Sequence, residues 1–152
     1  MKLIKAIAPV IIGFCIAGAV LYFIQPSIVS GTSMEPSIHE KQVAITYNLA
    51  YKDSNPKYCD CVIAEYNDMM IIKRVIGIPG DTLEFKDGEV YRNGELLEET
   101  YIQGKTYSKT EKITLNKNEY FLMGDNRKAS LDSRELGPFQ KIQIQGKVIK
   151  II

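Results

Sequence analysis

Met69-Met70-Ile71-Ile72-Lys73-Arg74-Val75-Ile76-Gly77-Ile78-Pro79-Gly80-Asp81 is the stretch from which the fold can be read. It is an apolar run rich in β-branched residues, broken only by a Lys-Arg doublet and closed by a Gly/Pro/Asp turn, which predicts a strand followed by a sharp reversal. Side chains alternate along a strand, so Ile71, Lys73 and Val75 share one face while Ile72, Arg74 and Ile76 share the other. The doublet is therefore split and need not form a basic patch. A lysine held between aliphatic neighbours loses stability as a cation, because burial disfavours the charged form. Moving its pKa from ~10.4 to between ~7 and ~8 takes roughly 3–5 kcal/mol, within reach of near-complete burial. A neutral amine can then accept the proton of a serine hydroxyl. A lysine snorkelling to water from a half-exposed strand is the alternative reading of the same residues.

Outward from this strand the chain continues in β style. Val43–Tyr47 and Cys61–Tyr66 precede it as strand-like runs, separated by a loop over Asn48–Lys57 that contains Asp53-Ser54-Asn55-Pro56. After it come Leu83–Phe85, Val90-Tyr91 and Leu96-Leu97, joined by Asp87-Gly88 and Asn93-Gly94, which predicts a β-meander. Tyr101–Lys117 reads as a loop with one strand at Lys112–Leu115, Tyr120–Met123 as a strand, and Lys147–Ile152 as a closing strand.

The N-terminus is different in kind. Lys2 and Lys5 precede Ala6–Ile24, which carries no charge, and a helix at ~1.5 Å per residue over that run covers roughly 28 Å, close to a bilayer's hydrocarbon thickness. A retained transmembrane helix is the favoured reading. A cleaved secretory signal is the rival, since Ala17-Gly18-Ala19 has the small-x-small form of a cleavage site, but the apolar run continues beyond it through Ile24. In both readings the lysines stay in the cytoplasm and everything after Gln25 lies outside. The expected organisation is a cytoplasmic start and anchor over residues 1–25 and an extracytoplasmic β-rich domain over residues 26–152.

Composition narrows the function classes. A formal charge of +1 over 152 residues is close to neutral, so nothing in it points to nucleic acid. Cys15 lies in the apolar run, and Cys59 and Cys61 lack the spacing of a zinc or redox pair, so all three read as packing residues. The single histidine, His39, lies close to a serine that invites attention. That serine, Ser33, belongs to Gly31-Thr32-Ser33-Met34-Glu35-Pro36-Ser37, where glycine and proline punctuation suits a turn of fixed shape. A third polar stretch, Gly124-Asp125-Asn126-Arg127 and then Ser130-Leu131-Asp132-Ser133-Arg134, would place Ser130, Asp132 and Arg134 on one face if extended. There a hydroxyl beside an ion pair could orient the amine of Lys73; a charged turn of little energetic weight is the plainer alternative.

Taken together, Ser33-Met34-x-Pro36, Ile72-Lys73-Arg74-Val75-Ile76-Gly77-x-Pro79-Gly80-Asp81 and Gly124-Asp125-Asn126-Arg127-x-x-Ser130-x-Asp132-Ser133-Arg134-x-x-Gly137, in that order behind an apolar segment, resemble a type I signal peptidase of the Gram-positive kind. The resemblance implies a mostly β fold behind a single span, with Ser33 as nucleophile and Lys73 as general base. It implies that Ser130 orients the lysine, that Asp132, Arg134 and Arg74 form a supporting ion-pair network, and that Val29, Met34, Ile38, Ile71 and Ile72 wall the substrate pocket. It further implies signal peptides of exported precursors as substrates and the lipid bilayer as partner, no metal and no cofactor, and a plasma-membrane location with the catalytic domain outside. Oligomeric state stays open. The chain departs from the pattern at Gly31, where some members have serine, at Ser37, where threonine is usual, and at Lys41 and Cys59, where glycine is common. The last two put local turn shape in question. A catalytically silent homologue that binds exported peptides is the rival in another class, and retention of both Ser33 and Lys73 argues against it. A specialised peptidase for one pilin-like or secreted substrate is a rival that these blocks do not separate.

Overall fold

A computed structural model describes residues 2–152. The N-terminal apolar run lies in one helix, α1 (Lys2–Phe23), with Pro9 inside it. Among the described residues no helix is long and apolar enough to cross a membrane. The helix passes straight into strand β1 (Ile24–Ile28), and the Asn48 amide donates to the Phe23 carbonyl at the junction, 3.0 Å. Alternation did not reveal β1, because Gln25-Pro26-Ser27 interrupts the apolar pattern. Pro26 has no amide to donate, and an edge strand accommodates that loss.

Beyond β1 the chain forms β2 (Val43–Tyr47), β3 (Cys61–Tyr66), β4 (Met69–Gly77), β5 (Thr82–Lys86), β6 (Glu89–Arg92), β7 (Glu95–Leu96), β8 (Lys112–Thr114) and β9 (Glu119–Met123). A short helix α2 (Ser133–Leu136), β10 (Phe139–Gln140), a 3-10 turn and β11 (Ile144–Ile151) complete it. One sheet has seven strands in the order β1-β2-β11-β3-β4-β9-β10, and a second has four in the order β7-β6-β5-β8. The mostly β architecture thus stands as the sequence indicates. The expected closing strand is the exception: it begins at Ile144 and lies between β2 and β3, inside the sheet. Its partners are far away in sequence, so local patterning carries no trace of its place.

The hairpins follow from turn chemistry. Asp87-Gly88 and Asn93-Gly94 have positive φ at both positions (54° and 85°, 56° and 85°), which matches the right-handed twist of the strands they join. Asn67-Asp68 makes the β3–β4 turn in the same region (47° and 62°) without glycine.

Strands β4 and β9 of the seven-stranded sheet form the wall between two hydrophobic clusters, the second of which they close together with the four-stranded sheet. Along β9, Tyr120 and Leu122 join a core with Val62, Ala64, Val75 and Phe139, while Phe121 and Met123 join a second with Ile76, Leu83, Val90 and Leu115. Successive side chains face opposite cores, so this strand reads as a continuous apolar run. A third cluster gathers Val29, Met34, Ile38, Ala44 and Val148 under the turn that carries Ser33.

Candidate active site

That third cluster is what holds Ser33 in place. Val29, Met34 and Ile38 are 6%, 2% and 3% exposed, so three apolar anchors pin both ends of a polar turn. Within the turn the Glu35 amide donates to the Thr32 carbonyl (3.1 Å) and the Ile38 amide to the Met34 carbonyl (2.9 Å). Ser33 is left half-buried on the wall of a cavity of about 540 Å³, which Gln25–Gly31 border on one side and Met70–Lys73 on the other.

Lys73 enters from β4. It is 3% exposed, and its Nζ lies 2.8 Å from Ser33 Oγ and 2.9 Å from the carbonyl oxygen of Ile72. Burial pushes its pKa down to about 8; the Asp132 and Asp125 carboxylates pull it back up, and Arg134 opposes them. The lysine is therefore desolvated rather than snorkelling, and its amine is within hydrogen-bond reach of the hydroxyl it would deprotonate. His39 is exposed and pairs with Glu35 at 3.7 Å, with no hydrogen bond to Ser33.

Val29, Met34, Ile71 and Ile72 line the cavity. Ile38 does not: it packs beneath them with Ala44 and Val148, because it is the far anchor of the Ser33 turn. β4 pairs with β3 along Met69–Arg74 but with β9 only from Arg74 onward, so among the described residues the other edge of Met69–Lys73 has no strand partner.

Two expectations about the supporting groups need correction. Ser130 makes no hydrogen bond to Lys73, and the carbonyl of Ile72 takes the amine's second bond instead. The stretch Ser130–Arg134 is not extended either. Asp132 caps α2, accepting from the Arg134 amide at 3.2 Å, and the helical turn folds the Arg134 side chain back onto it. Arg134 Nε and Nη2 reach the two carboxylate oxygens at 2.8 Å each, and the Gly124 amide donates to Oδ2 at 2.9 Å. Burial alone would raise the Asp132 carboxyl, but Arg134 and the Gly124 amide hold it below its ordinary value.

Arg74 is not part of that pair. Its Nε and Nη2 grip Asp125 at 2.8 and 2.6 Å, and Asp125 is fully buried. The single network is thus two bidentate pairs, and Asp125 is a residue the sequence reading passed over. Its position directly after Gly124 in the third block is the signal that marks it. Gly124 itself has no room for a side chain, since a Cβ there would collide with Ser130 Oγ and the Ser33 carbonyl oxygen. At the two turn positions in question, Lys41 (φ 69°) and Cys59 (φ 65°) keep the left-handed backbone that glycine would take without cost.

Comparison with known proteins gives this geometry a family. Residues 1–152 match the family described as signal peptidase, peptidase S26. The chain belongs to that family. Signal peptidase I S of Bacillus subtilis is 35% identical over 82% of this chain and 74% of its own length. Signal peptidase IB of Staphylococcus aureus is 31% identical over 97% of this chain and 87% of its own. A crystal structure of a signal peptidase I from Enterococcus faecalis superposes with a TM-score of 0.52 at 28% identity, covering 62% of this chain and 97% of that one. Membership makes the protein a serine endopeptidase of the signal peptidase I type, with the β-rich fold of peptidase S26.

Proposed function

We propose that this signal peptidase is anchored in the plasma membrane by α1 and cleaves N-terminal signal peptides from exported precursors at small-x-small sites, using Ser33 and Lys73. The observation that carries this reading is the buried Lys73 amine 2.8 Å from Ser33 Oγ at an apolar cavity. Neutral Lys73 accepts the Ser33 proton as Oγ attacks the scissile carbonyl, and the proton then goes to the leaving amine, giving an acyl-enzyme. Water, deprotonated by the same amine, attacks the ester and releases the signal peptide's new carboxylate. The Ser33 amide, which donates to no protein acceptor among the described residues, stabilises the oxyanion, with Ser30 or Thr32 as the nearby hydroxyls. The substrate adds as a strand to the open edge of Met69–Lys73. Val29, Met34, Ile71 and Ile72 leave pockets suited to small side chains such as alanine.

The anchor, spanning residues 1–25 with the lysines cytoplasmic, would keep the domain over 26–152 outside, in the same plane as its substrates, which raises their effective concentration. A precursor-processing assay tests the whole: wild type should convert precursor to mature protein, and Ser33→Ala and Lys73→Met should each abolish conversion while the domain stays folded. Cleavage retained in either variant excludes the pair.

A further inference from the structure

Asn126 belongs to neither member of the reacting pair, yet it makes two hydrogen bonds to the nucleophile's turn. Its backbone amide donates to the Ser33 carbonyl at 3.0 Å, and its side-chain Nδ2 donates to the Thr32 carbonyl at 3.2 Å. Asn126 follows Asp125, which Arg74 grips bidentately, and Arg74 follows Lys73. A bonded path therefore runs from the base through Arg74, Asp125 and Asn126 to the nucleophile, separate from the Ser33–Lys73 contact itself. The lack of space at Gly124 shows how closely this loop lies on the Ser33 carbonyl.

A peptide group is planar and trans, so the Thr32 carbonyl and the Ser33 N–H lie in one plane and point opposite ways. Whatever fixes the carbonyl also aims the N–H. We propose that Asn126 is a positioning residue for the oxyanion site: by adding its Nδ2 to the Glu35 amide that also donates to the Thr32 carbonyl, it completes the hold on that carbonyl and orients the Ser33 amide toward the cavity. The bond to the carbonyl also polarises the peptide group and makes its N–H a stronger donor. This rests on the Ser33–Lys73 mechanism above, in which that amide receives the negative charge. Asn126 touches no reacting atom.

The test is Asn126→Asp in the full chain, which keeps the shape but sets a carboxylate oxygen against the Thr32 carbonyl, with Asn126→Ala as the milder companion. A precursor peptide gives kcat and KM, and an uncleaved product-length peptide aldehyde, whose adduct with Ser33 carries the oxyanion, gives a transition-state-like affinity. Both variants should lose about 10–100-fold in kcat and a similar factor in aldehyde affinity, below the full loss of an oxyanion donor. KM should change less than about twofold, and in Asn126→Ala, which adds no charge, the pH limb of kcat should stay where Lys73 sets it in wild type. Activity within about twofold of wild type in Asn126→Ala overturns the proposal, and so does a loss in that same variant accompanied by a raised KM or a displaced pH limb. If Asn126→Asp does not fold, Asn126→Ala decides. Wild type and Ser33→Ala run alongside: failure of wild type to cleave, or cleavage by Ser33→Ala, overturns the mechanism itself rather than the role of Asn126.

Discussion

Replacing Lys73 with methionine should make the protein more stable near neutral pH while destroying its activity. Burial moves the amine's pKa from 10.5 to about 8. In the window between those values the unfolded chain holds more protons than the folded one, so wild-type stability rises with pH there; below it both states are protonated and the full penalty applies. That penalty is about 3 kcal/mol near neutrality. Methionine fills much the same volume without charge and removes it, but forfeits the bonds to Ser33 Oγ and the Ile72 carbonyl, each worth about 1 kcal/mol. The net gain expected at about pH 7 is thus about 1–2 kcal/mol, shrinking by about 2–3 kcal/mol toward about pH 10, where the order of stabilities reverses. Urea unfolding of both proteins in detergent, followed by circular dichroism across that range, reads the difference directly. The other titrating groups are common to both proteins and cancel. A stability difference that does not vary with pH would refute the desolvation argument, and with it the reason for regarding Lys73 as a neutral base.

With Lys73 as the base proposed above, kcat should rise tenfold per pH unit below about 8 and level off above it, as stopped assays on a precursor peptide across pH would show. Asp125→Ala strands the largely buried Arg74 guanidinium without its carboxylate and should cost about 3–5 kcal/mol in urea unfolding. Gly124→Ala should abolish most cleavage, since its Cβ can be placed only by pushing the Ser33 carbonyl aside, while a Ser33-directed covalent probe reports the displaced nucleophile as slow labelling. Lys41→Gly relieves a left-handed backbone at φ 69° and should change stability by about +1 kcal/mol at most, because glycine also adds freedom to the unfolded chain.

Residues that declare their chemistry locally were legible in the sequence alone. Turn dipeptides fixed the β5–β6–β7 meander, alternation fixed β3 and β4, and the split of Lys73 from Arg74 followed from the two-residue period of a strand. The order of the three blocks sufficed to name Ser33 and Lys73 as the candidates. Tertiary structure alone decided that β11 lies inside the sheet, that Ile38 anchors the Ser33 turn instead of walling the pocket, and that Arg74 takes Asp125 while Arg134 takes Asp132. Each of these depends on which distant segments meet. A guanidinium accepts any carboxylate of suitable reach, and only the packing of the 124–134 loop determines which one is offered. The same holds for the central quantity of the site: a sequence shows that a lysine has aliphatic neighbours along its strand, whereas the water it loses is set by the elements folded over it.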